Sequence, residues 1–261
     1  MRGRITAVIV ARNEERQIMD CLNGLRWVDE IVMVDTGSTD ATVEMARRSI
    51  SKVYEIEFRG FGDAKNYGVR HATGDWILSL DADERIPAEL KEEIEHVIGS
   101  ADANDGYYIP RKPFFLGHPI RHGGWYPGHV LRLFRKGKGT FTPQKVHEEV
   151  FLNGEIGYLK SPIVHCTDPD LHHYLTKLNR YTSLGADDLV GRKRRFRLFQ
   201  LLSHPPYMFL RMYFLKLGFL DGMPGFVLAV LSACHVFVKY AKLWERESGV
   251  DDGNRADRSI A

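Results

Sequence analysis

The sequence predicts an α/β fold, with a mostly parallel sheet flanked by helices and a helical C-terminal extension. The first hundred residues alternate short β-rich apolar runs with helix-like segments. These runs are apolar at consecutive positions, which is typical of strands buried on both faces of a parallel sheet. From about residue 170 onward the hydrophobic pattern becomes helical. The sheet is therefore expected in the first part of the chain and the helices in the last.

The elements follow in order along the chain. Strands are predicted at 5–10, 31–34, 53–58 and 76–80. Helices are predicted at 14–25, 41–49 and 63–71, the second with Asp40 at its N-cap position. A fourth helix follows Pro87, because proline suits the first helical position. Residues 105–163 are rich in glycine, proline and aromatic residues, so loops and short strands are expected there, with strands at 107–110 and 130–134.

Charge divides the chain in the same way. The net charge of +2 among 261 residues conceals a net −6 over 1–100, +3 over 101–159 and +6 over 160–248. The acidic part is expected to form a domain over 1–165. The basic and apolar part forms an extension over 166–248, and 249–261 form a flexible tail.

The extension has the composition of a surface that meets a membrane. A basic run at 192–197 precedes apolar segments at 207–220 and 226–244. In the last segment a polar stripe recurs at helical spacing, formed by Ser232, His235, Lys239, Lys242 and Arg246. This pattern favours a helix lying in an anionic membrane interface. The alternative is a helix packed on the protein's own core or on a partner subunit.

The sequence also predicts the compartment. The cysteines Cys21, Cys166 and Cys234 form no CxxC pair, which argues against a disulfide framework and fits a reducing cytoplasm. The N-terminus lacks the apolar core of a signal peptide. The longest apolar run, 226–238, is 13 residues long, whereas a spanning helix needs about 20. We therefore expect a protein without a spanning helix.

The motif DADE directly follows the fourth predicted strand. Asp81 and Asp83 are two residues apart, so in an extended segment both carboxylates face one ligand, with the small Ala82 between them. Ligands gather at the carboxyl ends of strands in such sheets. Two carboxylates there suit Mg²⁺ or Mn²⁺ held together with phosphates. The alternative is an acidic loop that only caps the next helix.

Two other strand ends carry polar turns. Asp35 ends the second strand before a turn that Gly37 permits, and Ser38 or Asp40 can cap the next helix. A carboxylate in the place of Asp35 can bind a ribose or a base. The segment 11–14 follows the first strand, where backbone amides can meet a nucleotide. The sequence contains neither GxGxxG nor a Walker A motif, which argues against a dinucleotide cofactor site or a P-loop.

These motifs occur in the order VIVARNEE, VDTGSTD, AKNYG and GDWILSLDADE. Over residues 5–95 this order resembles the family 2 glycosyltransferases of the GT-A (Rossmann-like) fold. Later segments are similar to the bacterial lipopolysaccharide core β-glucosyltransferase subgroup, which adds glucose to an inner-core heptose. These segments are WYPGHVLRLFRKGKGTFT at 125–142, VHEEV at 146–150, residues 163–181, GFLDG at 218–222 and KYAKLWE at 239–245.

The resemblance implies a nucleotide-sugar donor, most often linked to UDP, and a divalent metal ion. Asp83 would be the main metal ligand, and Asp81 a ribose or metal contact. Thr36 stands where many members carry a second acidic residue, which leaves Asp35 alone for the base or ribose. The other implied nucleotide contacts are Ala11, Arg12, Asn13, Glu14, Lys65 and Asn66.

The resemblance also implies a catalytic base. An inverting transfer needs a group that takes the proton from the acceptor hydroxyl as that hydroxyl attacks the anomeric carbon. In the family the base lies in an acidic pair after the middle region, which places Glu148 first and Glu149 second, with His147 orienting the acceptor. Arg132 would offset the charge of the leaving diphosphate, or would be an exposed strand-end arginine.

Histidines in the later part of the chain invite a metal interpretation. His165, Cys166, His172 and His173 match no common zinc spacing, so a zinc site is disfavoured. His165 alone remains a candidate for an additional metal or phosphate contact.

Together these features predict a metal-dependent, inverting glycosyltransferase that moves a hexose, most simply glucose from UDP-glucose, onto a lipid-linked glycan. Its expected partners are the donor, the acceptor and the cytoplasmic face of the inner membrane, with no nucleic acid, and a homo-oligomer stays open. The alternatives are transfer to a polyprenyl phosphate and a nucleotide-binding protein of the same fold without turnover. A sugar nucleotidyltransferase is disfavoured because its glycine-rich N-terminal loop is missing.

Overall fold

The computed structural model describes residues 3–142 and 149–248. The chain forms two compact units, described separately below. The first comprises Met1–Lys112 and Pro127–Cys166, and the second Pro113–Tyr126 and Thr167–Ala261. The predicted tail, 249–261, lies outside the described residues.

The regular elements alternate between strands and helices up to β4. The strands are β1 (Ile5–Ala11), β2 (Glu30–Asp35), β3 (Lys52–Glu55), β4 (Trp76–Asp81), β5 (Glu84–Arg85), β6 (Gly106–Phe115), β7 (His118–Pro119), β8 (Gly128–Arg135), β9 (Gly139–Phe141), β10 (Val150–Leu152), β11 (Ile156–Tyr158) and β12 (Ile163–Asp168). The helices are α1 (Ile18–Gly24), α2 (Thr42–Arg47), α3 (Phe61–His71), α4 (Ala88–Gly99), α5 (Leu171–Gly191), α6 (Leu198–Leu210) and α7 (Gly222–Glu247). The four strands and the helices predicted for the first hundred residues are all present.

The main sheet has the strand order β3-β2-β1-β4-β8-β6-β12-β5. The strands β3, β2, β1 and β4 run parallel, whereas β8 runs antiparallel to both β4 and β6. The predicted sheet flanked by helices is confirmed. Its parallel part is the one formed by the first hundred residues, and the middle region supplies the antiparallel strands.

Burial explains the continuous apolar runs. Every residue of β1 is buried, and β4 is buried from Trp76 to Leu80. Both strands lie inside the sheet, so each has a neighbour on either side and a covered surface on either face. Helix α3 packs on this part of the sheet at Gly68, where a methyl group would overlap Val8 Cγ1. This close approach holds the N-terminal part of α3 near the carboxyl ends of the strands.

The second unit is built on helices α5, α6 and α7, with a π-helical turn at Arg211–Leu215 and a 3-10 turn at Gly218–Asp221. Its core includes Phe115, Ile120, Tyr174, Met212 and Leu228. The predicted boundary lay at 165/166, close to the 166/167 division of the structure. The assignment of 113–126 to the first domain is corrected, since Phe115 and Ile120 bury their apolar side chains among these helices.

The polar stripe of α7 faces helix α5. Lys242 Nζ donates hydrogen bonds to Asn179 O at 2.7 Å, Thr182 Oγ1 at 2.9 Å and Ser183 Oγ at 2.8 Å. Arg246 Nε lies 2.9 Å from Asp187 Oδ1. The stripe is therefore packed within the protein, which was the alternative to its lying at a membrane. The exposed side of α7 is apolar instead.

Helix α7 is longer than the apolar run that marks it in the sequence. Within the described residues, Gly218–Glu247 forms one helical segment that is long and apolar enough to cross a membrane. The 13-residue apolar run in the sequence underestimates the length of this helical segment. Polar residues on the side of α7 that faces α5 interrupt the run, but the helix continues past them.

Candidate active site

The register of the parallel strands brings three polar segments to one edge of the sheet. Ala11 pairs with Asp35 on β2, and Val10 pairs with Asp81 on β4. The segment 11–14, the turn after β2 and the DADE loop therefore all leave the sheet at its carboxyl edge, where α/β sheets bind ligands. The first unit thus places the predicted site residues of these three segments side by side.

The turns after β1 and β2 hold each other. Asn13 lies in the left-handed region with φ 57°, its backbone N–H donates to Ser38 Oγ, and its Oδ1 accepts from Thr39 N at 2.8 Å. Glu14 N donates to Thr42 Oγ1 at 2.8 Å. Arg12 is exposed beside them, whereas Ala11 is buried. The segment 11–14 is thereby a fixed rim of the site.

Asp35 stabilises the turn that follows it. Its carboxylate accepts hydrogen bonds from Gly37 N at 2.9 Å, Ser38 N at 2.8 Å and the Ser38 hydroxyl, and the residue is 1% exposed. Gly37 adopts φ 96°, a conformation that favours glycine. These contacts give Asp35 a structural role at the site edge, and its contact with a nucleotide stays a prediction.

Asp81 lies between two cations. Its Oδ1 is 3.0 Å from Lys65 Nζ, and its Oδ2 is 2.5 Å from Arg132 Nη2. Burial acts to raise the pKa of Asp81, but the charges of Arg132 and Lys65 outweigh it and hold that pKa well below its usual range. Asp81 is therefore ionised throughout the physiological pH range. With both oxygens engaged by cations, it is a weaker candidate for a metal ligand than Asp83.

Glu84 is a residue of this cluster that the motif alone does not single out. It is fully buried, its Oε2 accepts from Asp81 N at 3.0 Å, and its Oε1 accepts from Arg132 Nη2 at 3.0 Å. Arg111 Nη1 lies 3.7 Å from the same Oε1. Although burial acts to lower the pKa of Arg132, the carboxylates of Asp81 and Glu84 raise it above its ordinary value. Glu84 thereby fixes both the DADE loop and Arg132.

Asp83 and His165 form a separate pair. His165 Nε2 lies 3.3 Å from Asp83 Oδ2, and the two side chains are 15% and 11% exposed. The pair is held by backbone contacts, since His165 is in register with Glu84 and Cys166 N donates to Asp83 O at 2.9 Å. Across 3–142 and 149–248, no group of three His, Cys, Asp or Glu side chains is arranged to hold a metal ion.

Lys65 and Asn66 occupy adjacent positions on α3 with different contacts. Lys65 is 1% exposed and reaches Asp81. Asn66 is bound to the backbone of Phe141, donating to its O at 2.8 Å and accepting from its N at 2.9 Å. Asn66 therefore positions strand β9, and its contact with a nucleotide stays a prediction.

A pocket of about 460 Å³ opens beside the charged cluster. Its charged and aromatic lining includes Asp81, Arg111, Arg132, Tyr108 and Glu149. Among the described residues, Arg132 Nε has no hydrogen-bond partner although it is buried. Glu149 is exposed and reaches this pocket, whereas the other predicted catalytic residues, Glu148 and His147, lie outside the described residues.

Arg135 differs from Arg132 although both lie on β8. Its guanidinium stacks 4.6 Å from the centre of the Trp76 ring and its Nε lies 3.6 Å from Asp105 Oδ1. Arg132 therefore belongs to the cluster at Asp81, whereas Arg135 pairs with Asp105.

Comparisons with known proteins agree with this fold. Residues 6–148 match the model of the glycosyl transferase family 2. The lipopolysaccharide core biosynthesis glycosyltransferase LpsC of Rhizobium meliloti is 31% identical, over 94% of this chain and 93% of that protein. An uncharacterized glycosyltransferase of Rickettsia felis is 30% identical, over 99% and 95% of the two chains.

Two solved structures share the GT-A fold of this chain at 16% sequence identity. The mannosyltransferase PcManGT of Pyrobaculum calidifontis, in complex with GDP-Man and Mn²⁺, superposes with a TM-score of 0.53 over 94% of this chain and 88% of that one. The S. aureus TarS fragment 1-349, in complex with UDP-GlcNAc, gives 0.50 over 94% and 92%. From the family match and the full-length relatives, the chain belongs to the family 2 glycosyltransferases.

Proposed function

We propose that this enzyme is a metal-dependent, inverting glycosyltransferase that transfers a hexose, glucose from UDP-glucose, to a lipid-linked glycan of the lipopolysaccharide inner core. One observation carries the proposal. The carboxylate of Asp81 meets the buried cations Lys65 and Arg132 at the carboxyl edge of the sheet, beside a pocket, and Asp83 two residues later pairs with His165. The similarity to LpsC over nearly the whole chain supports the acceptor class.

The cluster suits the diphosphate of a donor only together with a divalent cation. The cations Lys65, Arg111 and Arg132 are balanced by Asp81, Asp83 and Glu84. These six side chains together therefore carry no net positive charge for a diphosphate. Asp83 and His165 supply two ligand atoms, and Mg²⁺ and Mn²⁺ sites are commonly completed by substrate phosphates and water. When bound, the metal offsets the negative charge that develops on the leaving nucleoside diphosphate.

The protein side chains act on the donor and on the acceptor. Arg132 lines the pocket and its buried Nε–H has no partner among the described residues, so an oxygen of the donor would accept it. Glu148, with Glu149 as the second candidate, takes the proton of the acceptor hydroxyl. A bond then forms between the acceptor oxygen and the anomeric carbon, while the bond from that carbon to the diphosphate oxygen breaks. Attack from the opposite side to the leaving group inverts the anomeric centre.

Two other functions are distinguished by their ligands. Transfer to a polyprenyl phosphate would use the same donor site, and incorporation of labelled hexose into truncated lipopolysaccharide or into polyprenyl phosphate separates the two acceptors. A nucleotide-binding protein without turnover would bind the donor but transfer nothing.

The enzyme would work as a peripheral protein on the cytoplasmic face of the inner membrane.

Donor binding is tested by thermal shift with UDP-glucose, GDP-mannose and UDP, each with and without Mn²⁺. At a donor concentration of about 100 Kd the stabilisation is about 2.7 kcal/mol, which is a rise in Tm of roughly 5–10 °C for a chain of this size. We expect Asp83→Asn to lose the Mn²⁺-dependent part of this rise. The exposed Asp102 gives the matched control Asp102→Asn, which should keep it. If no nucleotide sugar raises the Tm with any metal, the proposed function is wrong.

The base is tested by the two variants Glu148→Gln and Glu149→Gln, with transfer of labelled hexose as the readout. Glu148→Gln should abolish transfer and keep the thermal shift, because an amide cannot take the proton but leaves the donor site intact. Glu149→Gln should retain transfer. Turnover in Glu148→Gln, with none in Glu149→Gln, would move the role to Glu149.

A further inference from the structure

We infer that the second unit carries an interfacial membrane-binding surface, formed by exposed apolar side chains of α6, the two turns that follow it and the exposed side of α7. This surface, called the apolar face below, is represented by Phe199, Leu202, Leu210, Phe214, Leu215 and Met223, which are 51–75% exposed. The inference concerns attachment only and stands independently of the proposed reaction.

The apolar face is one continuous structure. On α6, Phe199, Leu202, Pro206 and Leu210 recur every three or four residues and are all exposed, so they share one side of the helix. At the end of α6 the aromatic rings connect the following elements: Phe209 contacts Phe214 and Phe226, and Tyr213 contacts Phe219 and Phe226. Exposed apolar area on this scale is unusual for a surface that meets only water.

The charge around the apolar face selects an anionic partner. Exposed Arg192, Lys193, Arg194, Arg195 and Arg197 directly precede α6. Arg211 and Lys216, in and directly after the π-helical turn, are exposed as well. Exposed leucine and aromatic residues flanked by arginine and lysine are typical of segments that lie in an anionic lipid interface.

Negative charge is sparse on this surface. Between residues 189 and 244 the sequence contains a single carboxylate, Asp221. The Asp221 side chain is 5% exposed and accepts hydrogen bonds from His122 N at 2.8 Å and from Arg121 N at 3.2 Å, and its Oδ1 lies 2.9 Å from His122 Nδ1. Exposed carboxylates lie at the margins of the apolar face: Asp188 pairs with Arg192 at 3.0 Å, and Glu245 and Glu247 stand in the last turn of α7.

The contacts of α7 favour lying in the interface over spanning the bilayer. Helix α5 packs along α7, from Tyr174, which is hydrogen-bonded to Ser232, to Asp187, which pairs with Arg246. Over this length α5 carries Lys177, Arg180 and Asp187. If α7 crossed the bilayer in this arrangement, those charges would enter it as well, at a high free-energy cost. In the interface only the apolar face has to leave water.

The test is co-sedimentation of the full chain with phosphatidylcholine vesicles, with and without phosphatidylglycerol, in the absence of donor and acceptor. Binding is expected to be strong only with phosphatidylglycerol and to weaken with salt. The triple variant Arg194→Gln, Arg195→Gln, Arg197→Gln should bind on the order of 100-fold more weakly, at roughly fivefold per basic residue near an anionic surface. The matched control Arg47→Gln, Arg48→Gln, Arg59→Gln removes the same charge from exposed positions of the first unit and should bind as the original protein does.

The apolar contribution is tested with Phe199→Ser and Leu202→Ser, each of which should weaken binding by at least about tenfold. Phe151→Ser is the control, because Phe151 is 71% exposed on the first unit. The inference is overturned if anionic vesicles bind no protein, or if the triple variant binds as well as its control. It is also overturned if Phe199→Ser only breaks a dimer in sedimentation velocity, or if bound protein resists high salt and alkaline carbonate as a spanning protein does. Because no substrate is present, failure here leaves the donor-binding result untouched.

Discussion

At the scale of single residues, the site depends on a buried arrangement of opposite charges. Arg132 is 5% exposed and touches two carboxylates, Asp81 and Glu84, and Glu84 also holds the backbone of Asp81. A carboxylate at position 81 could serve many roles, but here its partners fix it as a constant negative charge. The DADE loop is therefore oriented from beneath by Glu84 and Arg132.

Replacing Arg132 tests this arrangement. Arg132→Met leaves the fully buried Glu84 with Arg111 at 3.7 Å as its remaining cation. An uncompensated buried charge costs about 3–5 kcal/mol, so the free energy of unfolding in urea should fall by that amount. Arg135→Met is the control, since its ion pair with Asp105 is partly exposed and should cost about 1 kcal/mol or less. Equal urea midpoints for the two variants would contradict the role assigned to Arg132.

At the scale of elements, one carboxylate joins the amino ends of the parallel strands. Glu30, at the start of β2, accepts hydrogen bonds from Thr6 Oγ1 on β1 at 2.6 Å and from Thr73 N at 2.7 Å, and it pairs with Lys52 on β3. Although burial acts to raise the pKa of Glu30, the hydrogen bonds from Lys52, Thr6 and Thr73 lower it from 4.5 to about 2. The ionised carboxylate thus ties three strands together at the edge opposite to the site.

This shift predicts a pH dependence of stability. A carboxyl whose pKa is lower in the folded state stabilises the fold above its unfolded pKa, and the contribution is lost as the pH falls through the folded value. The contribution of Glu30 should therefore be complete above pH 4.5 and disappear toward pH 2. Glu30→Gln should lower the unfolding free energy at pH 7 by about 1.5–3 kcal/mol and flatten its slope across that window. An unchanged slope in urea titrations at several pH values would contradict this.

At the scale of the whole molecule, the two units differ in the residues that matter for function and in the segments of the chain that form them. The first unit carries the candidate site in consecutive strand-end loops. The second takes residues 113–126 out of the middle of the chain and adds them to C-terminal helices through Phe115 and Ile120. Its stability therefore depends on a segment distant in sequence.

Phe115→Ala tests this dependence. Phe115 is fully buried, with its ring 5.6 Å from that of Tyr174 in an edge-to-face contact. Truncating a buried phenylalanine costs about 3–5 kcal/mol. Amide hydrogen exchange in α5 and α7 should accelerate markedly, and Phe151→Ala, at an exposed position, should leave those helices protected. Unchanged exchange in α5 would mean that 113–126 does not support the helical core.

The sequence by itself determined the features that depend on neighbouring residues. The apolar runs marked the parallel strands, and Gly37 and Asp40 marked the turn after β2. The order of the strand-end motifs identified the family. These features are local because the pattern of a buried strand and the geometry of a turn depend on residues that follow one another in the sequence.

The tertiary structure decided which side chains meet. Glu84 and Arg132 are 48 positions apart and Asp83 and His165 are far apart as well, so only the folded arrangement of the strands and the DADE loop brings each pair together. The polar stripe of α7 is a second example. Its helical spacing could be recognised in the sequence, but that the stripe faces inward follows from its contacts with polar residues of α5. A pattern reveals which side of an element is polar, whereas packing decides what that side contacts.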